Sequence, residues 1–194
     1  SDSELAERIR CLRDHGATMS DLQRHLGAKP YLLADHPEAG YNQRMTDIQG
    51  ALGSAQMDRA REIVLERRRL ANIYNKAFVD LDWLRTPLCP EGYEHGYQSY
   101  PCMYMPEEAS LRDVVRVNKS RNDWMEELQN TGISTRPATH AVHMLTYYKS
   151  KYGLIPSDFP NAYIANDCSI SLPLFHGMTH SEQEYVIEKV VSSR

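Results

Sequence analysis

One stretch limits what this chain can fold into more than any other: residues 40–81, GYNQRMTDIQGALGSAQMDRAREIVLERRRLANIYNKAFVDL. Thr46 and Gln49 stand at the spacing of a capping box, so a helix is expected to open at Asp47. Ile48, Ala51, Leu52 and Ala55, then Ile63, Ala71, Tyr74 and Phe78, form a broken apolar stripe at helical spacing. An uninterrupted helix from Asp47 to Asp80 would be about 50 Å long. Gly50 and Gly53 allow close packing or a bend near its start. A helix of that length suits a spine linking two domains better than an element of one small domain. Arg67, Arg68 and Arg69, flanked by Glu62 and Glu66, read as an ion-paired, solvated face of it.

Shorter elements are expected on either side. Leu5, Ile9 and Leu12 recur at helical spacing over residues 4–15, and Gly16 supplies a stop. A long loop from Ala17 to Gly40 follows, of the length that in compact domains is often functional. Beyond Pro87 and Pro90 the pattern changes. His95–Met105 alternates as a strand, Ser120–Asn130 as a helix with Trp124 and Leu128 on one face, and Ile133–Thr135 as a short strand. The segment THAVHMLTYYKSKYGL fits neither period. Asn161–Cys168 reads as a helix and Ser169–Leu172 as a strand ending at Pro173. Thr179 with Glu182 is a second capping box, opening a terminal helix through Tyr185, Val186 and Val190. The class is α/β.

Composition narrows the function. No apolar run approaches the roughly 20 residues of a membrane-spanning helix, and the N-terminal residues are charged rather than signal-like. A net charge of −4 argues against nucleic acid. Cys11, Cys89, Cys102 and Cys168 form no CxxC pair, Cys11 and Cys168 sit in apolar patterns expected to be buried, and a reducing, cytoplasmic setting fits. GxGxxG, P-loop, GxSxG and HExxH motifs are absent.

Three groups of residues remain as candidates. Asn42 and Arg44 stand just ahead of a helix N-terminus, where backbone N–H groups and the dipole favour an anion such as phosphate; the plain alternative is a turn residue and a surface ion pair. His140 and His143, three apart, either share a helix face as metal ligands or pack as a pair in a loop. No carboxylate or cysteine accompanies them at ligand spacing, so no metal site is assigned. Tyr147, Tyr148 and Tyr152 can stack on a sugar or base, or pack half-buried against the core.

Taken in order, LAERIRCLRDHG, GYNQRMTDIQGALGSAQMDRA, ERRRLANIYN, GISTRPATHAVHMLTYYKSKYG, DFPNAYIANDCSISLPLF and MTHSEQEYVIEKV resemble the sugar aminotransferases of the DegT, DnrJ and StrS type over nearly the whole chain. The resemblance implies the C-terminal part of a fold-type I transferase dependent on pyridoxal 5'-phosphate (PLP). Residues 1–46 would end the large cofactor domain and include an interface loop, 47–80 would be the linking helix, and 81–194 the small α/β domain. The family's Schiff-base lysine is expected upstream of residue 1, so no catalytic residue is assigned here. By the same resemblance Asn42 reaches the cofactor phosphate of a neighbouring subunit, and Arg44 meets the nucleotide phosphates of the substrate. His140, His143 and Tyr148 belong to a loop that lines the sugar-nucleotide pocket; relatives commonly carry an HYxxxxH pattern there, from which THAVH departs. The implied activity is transamination between an amino-acid donor and a keto nucleotide-sugar, in a homodimer. A sugar dehydratase of the same family and a non-catalytic dimerisation or binding module are the alternatives.

Overall fold

The computed structural model describes residues 2–18 and 35–193. The chain divides into two compact units, Ser1–Asp58 and Arg59–Arg194. Most of the loop expected over Ala17–Gly40 lies outside the described residues.

In the first unit, helix α1 (Ser3–Arg13) opens on Asp2, whose side chain accepts from the Leu5 N–H at 3.0 Å. It ends at Asp14. Here the backbone pairs with residues 41–43: Tyr41 N–H donates to the Leu12 carbonyl at 2.7 Å, His15 N–H to Tyr41 at 2.8 Å and Gln43 N–H to Arg13 at 2.9 Å. Gly16 (φ +77°) and Gly40 cross so closely that a Cβ on Gly16 would meet the Glu38 carbonyl at 2.0 Å and one on Gly40 the Gly16 nitrogen at 2.1 Å. Only glycine permits that crossing.

Helix α2 (Asp47–Ala77) starts at the expected box: Thr46 N–H donates to Gln49 Oε1 at 3.0 Å, and Gln49 N–H to Thr46 Oγ1 at 3.3 Å. It begins in the first unit, and its residues from Arg59 onward belong to the second.

The second unit is built around a three-stranded antiparallel sheet in the order β1 (Leu84–Arg85), β2 (Tyr100–Tyr104), β3 (Ser169–Leu172). Leu84 pairs with Tyr104, and Cys102 with Ile170. Strand alternation puts Tyr100, Cys102 and Tyr104 on the inner face. Leu70, Ala71 and Tyr74 of α2 and Phe78 just beyond it pack there, together with Val117, Trp124 and Leu128 of α3 (Val114–Asn130) and Val186 and Val190 of α6 (His180–Val191). Aromatic rings dominate this core. Tyr74 and Tyr100 lie 5.0 Å apart, Tyr104 stacks on Trp124 at 5.4 Å, and Trp83 meets Trp124 edge-on at 5.1 Å. The Tyr74 hydroxyl donates to the Pro173 carbonyl at 2.9 Å, so the ring is buried without leaving its polar tip unpaired.

Several expectations need correction. The strand foreseen over His95–Met105 is confined to Tyr100–Tyr104, because Tyr97 takes a left-handed backbone (φ +45°) and its N–H turns to His95 Nδ1 at 2.8 Å. Arg67, foreseen on a solvated face, instead donates from Nη1 to the carbonyls of Tyr97 and Gln98, each at 2.9 Å, and of Leu174 at 3.4 Å. Arg68 donates to the His95 carbonyl at 2.8 Å and is ion-paired as foreseen, but with Glu94 at 2.8 Å; Arg69 pairs with Glu66. Ile133–Thr135 forms no strand; Ile133 and Thr135 are buried, but pairing with β3 is limited to the Arg136–Ser171 bridge. Helix α3 begins at Val114 rather than Ser120, since Ser110 and Asp113 fix its entry through the Asp113 N–H on Ser110 Oγ at 3.2 Å. Cys168 is buried as foreseen, whereas Cys11 is only half-buried.

Candidate functional site

The structure gathers the candidate residues into two clusters, one in each unit.

The first is the pair ahead of α2. Its backbone is held by the ladder between residues 12–15 and 41–43, with Asp14 and Asn42 as bridge partners. Arg44 donates from Nε to Asn42 Oδ1 at 3.2 Å, and its Nη1 lies 3.3 Å from Asp14 Oδ1. Asn42 is exposed, and Arg44 is about half exposed. An amide N–H and a guanidinium side by side form a donor set suited to a phosphate, the guanidinium adding charge and a planar fork of donors. Asp14 is a partner that sequence reasoning missed. Its signal was an acidic residue at the end of a helix, where the dipole disfavours it.

The second cluster surrounds a cavity of about 420 Å³ in the second unit, lined by His140, Val142, His143, Tyr148, Tyr152 and Phe159 among others. The Ala141 N–H donates to Asn166 Oδ1 at 2.9 Å, tying the THAVH loop to α5 (Pro160–Cys168). A 3₁₀ turn over Val142–Met144 follows, then helix α4 (Thr146–Tyr152), stopped by Gly153 at φ +65°. His140 is exposed. His143 is 6% exposed, its ring 5.1 Å from that of Phe159, and its buried Nε2 has no hydrogen-bond partner. The packed-pair reading of the two histidines is therefore half right. Among the described residues, no group of three or more His, Cys, Asp or Glu is arranged to hold a metal ion.

The tyrosines are not half-buried core residues. Tyr147 is 62%, Tyr148 40% and Tyr152 59% exposed. Tyr148 and Tyr152 lie nearly parallel at 6.4 Å, with the Lys151 ammonium 5.3 Å above the Tyr152 ring. Exposed, stacked rings beside a largely apolar cavity are a surface on which a flat ligand can lie. Phe159 was missed because a lone aromatic before a proline carries no periodic signal.

Comparison with known proteins agrees with this architecture. The sequence model of one family, described as the DegT/DnrJ/EryC1/StrS aminotransferase family, matches residues 1–191. This chain belongs to that family. The spore coat polysaccharide biosynthesis protein SpsC of Bacillus subtilis is 28% identical over 97% of the chain and 46% of its own length. PseC of Helicobacter pylori, an aminotransferase involved in the biosynthesis of pseudoaminic acid, has the same fold over 99% of this chain and 46% of its own, with a TM-score of 0.76 at 21% identity. The PLP form of the Streptococcus pneumoniae protein Spr1654 matches all of this chain and 44% of its own at 26% identity, with a TM-score of 0.75. The family member described here thus spans about half the length of the curated relatives it matches. Its fold is the α/β fold expected from the sequence, that of the C-terminal portion of a PLP-dependent sugar aminotransferase.

The family implies PLP, and the described residues fit one end of that molecule. Asn42, an exposed amide able to donate to an anion, suits its phosphate. Its aldehyde needs an amine whose pKa is brought down. Lys119 and Lys189 are pushed the other way, by hydrogen bonds to Asp123 and Glu188. Among the described residues, no helix is long and apolar enough to cross a membrane.

Proposed function

We propose that this chain is the C-terminal portion of a PLP-dependent aminotransferase acting on a keto nucleotide-sugar, in the formation of amino sugars or polysaccharide. In this reading residues 1–46 close the large cofactor domain, α2 links it onward, and residues 81–194 form the small domain. The observation that carries it, within a family of aminotransferases, is the convergence of Asn42 and Arg44 in one anion-matching pair at the head of α2.

Asn42 donates its side-chain amide to the cofactor phosphate, and Arg44 directs its guanidinium to the diphosphate of the nucleotide sugar. His140, His143 and Tyr148 form one wall of the cavity in which the uncharged part of that substrate rests. Stacking on Tyr148 supplies contact area while asking for few hydrogen bonds. When bound, PLP would supply the electron sink for amino-group transfer from the donor amino acid. The enzyme acts as a cytoplasmic homodimer. The dimer is supported by Ile48 and Leu52, 83% and 64% exposed one turn apart on α2. The reducing compartment is supported by the cysteines, all four of them free. The 194 residues alone do not transaminate, because none of the six lysines stands in the family's cofactor context.

The test is Asn42→Ala in the holoenzyme, with cofactor dissociation and thermal unfolding measured side by side. Loss of one charge-assisted hydrogen bond should weaken PLP by about 1.5–3 kcal/mol with little change in melting temperature. An unchanged dissociation constant would leave Asn42 a turn residue and remove the support for the reading. Borohydride reduction of the isolated chain with PLP should label no lysine stoichiometrically.

A further inference from the structure

The two ends of an asparagine side chain have nearly the same shape but opposite hydrogen-bonding character, so its usefulness toward an anion depends on which end faces out. In the first unit the neighbours decide this. A guanidinium only donates, and Arg44 Nε approaches Asn42 Oδ1 at 3.2 Å. The amide oxygen is therefore turned toward Arg44, and the Nδ2 hydrogens point away from it. Arg44 is in turn held through Nη1 by Asp14 Oδ1 at 3.3 Å.

Asp14 is the fixed end of this chain of contacts. Its side chain is 17% exposed against 46% for Arg44. Its backbone is locked at the end of α1, with its N–H on the Cys11 carbonyl at 3.1 Å and the bridge to Asn42 beside it. The geometry points to Asp14 as a positioning residue, whose carboxylate anchors Arg44 so that Arg44 orients the Asn42 amide to donate to a phosphate oxygen. The inference rests on the proposed role of Asn42.

Its sign separates it from plain electrostatics. A carboxylate close to a phosphate site repels the ligand, so an Asp14 acting through charge alone would weaken phosphate binding, and its removal would tighten it. An Asp14 acting by position does the reverse.

The experiment uses the full-length holoenzyme, stripped of cofactor and titrated by absorbance with pyridoxal phosphate and, separately, with pyridoxal. Asp14→Ala should weaken pyridoxal phosphate about tenfold, the scale of one hydrogen bond to a charged group, and leave pyridoxal unchanged. Arg44→Ala should do the same, and the double variant should be no worse than either single one, because both break one chain of contacts. Asp14→Glu should recover part of the loss. Asp14→Asn keeps the shape of the turn and reads the same sign if the alanine variant does not fold. Pyridoxal phosphate held as tightly as in the parent, or tighter, by Asp14→Ala would overturn the inference. So would an equal loss of both ligands, which would mark a purely structural residue. If Asn42→Ala and Arg44→Ala weaken the cofactor while Asp14→Ala does not, the inference alone fails. If all three bind normally, the reading of the site fails with it.

Discussion

Replacing His143 with phenylalanine should make the protein more stable and its cavity less useful. His143 is 6% exposed and its Nε2 is buried without a partner. Burying a polar atom that makes no hydrogen bond costs about 1–3 kcal/mol, and phenylalanine removes that cost. The six-membered ring is larger than imidazole and must fit beside Phe159, whose ring is 5.1 Å away; overpacking of this kind costs about 1 kcal/mol or more. The net expectation is a gain of about 1 kcal/mol, or roughly 2–4 °C in melting temperature for a chain of this size. His143→Ala, which removes ring contacts as well, should instead destabilise by about 2–4 kcal/mol. Urea and thermal unfolding of the isolated chain measure both variants. In the holoenzyme, His143→Phe should raise the KM for the nucleotide sugar, since the larger ring takes space from the cavity that His143 lines. A His143→Phe protein clearly less stable than the parent would show that Nε2 is satisfied in the native state, and the argument would fall.

Other consequences are as direct. Arg67→Ala leaves the Tyr97, Gln98 and Leu174 carbonyls without their shared donor and should cost about 2–3 kcal/mol in urea unfolding. Arg69 holds the Glu66 carboxyl below its usual 4.5, chiefly by hydrogen bonding, so the pair stabilises the native state above that pH and the benefit disappears as pH falls through the depressed value. With Arg69 54% exposed the contribution is only about 0.5 kcal/mol, and Glu66→Gln should differ from the parent by that amount at pH 7 and converge with it in acid, once the carboxyl is protonated in the native state. Burial pushes the Cys168 thiol up to about 11, so iodoacetamide at pH 8 should modify Cys168 only after denaturant is added; prompt modification of the native chain would contradict its burial.

Some of this protein was settled by sequence alone. Both capping boxes, Thr46 with Gln49 and Thr179 with Glu182, form as their spacing requires, because a cap is a contact between residues three apart and needs nothing from elsewhere. The same holds for the existence of the long helix α2 and for the inward faces of α3 and α6, where local periodicity and burial coincide; on α2 the stripe is buried only from Leu70 on, Ile48 and Leu52 being exposed. The family, too, was legible in the order of its motifs. The sheet was not. Alternation over residues 95–105 cannot reveal that Tyr97 adopts a left-handed backbone, or that an arginine some thirty positions earlier captures the carbonyls around it. Nor does any local pattern bring Asp14 to Arg44, or Phe159 to His143. Those partners are separated in sequence and joined by the turn that ends α1 and by the packing of the THAVH loop against α5. Sequence patterning reports what a residue's own helix or strand will bury. Which distant donor meets which acceptor, and whether a buried histidine nitrogen is paired at all, is decided only when the elements pack.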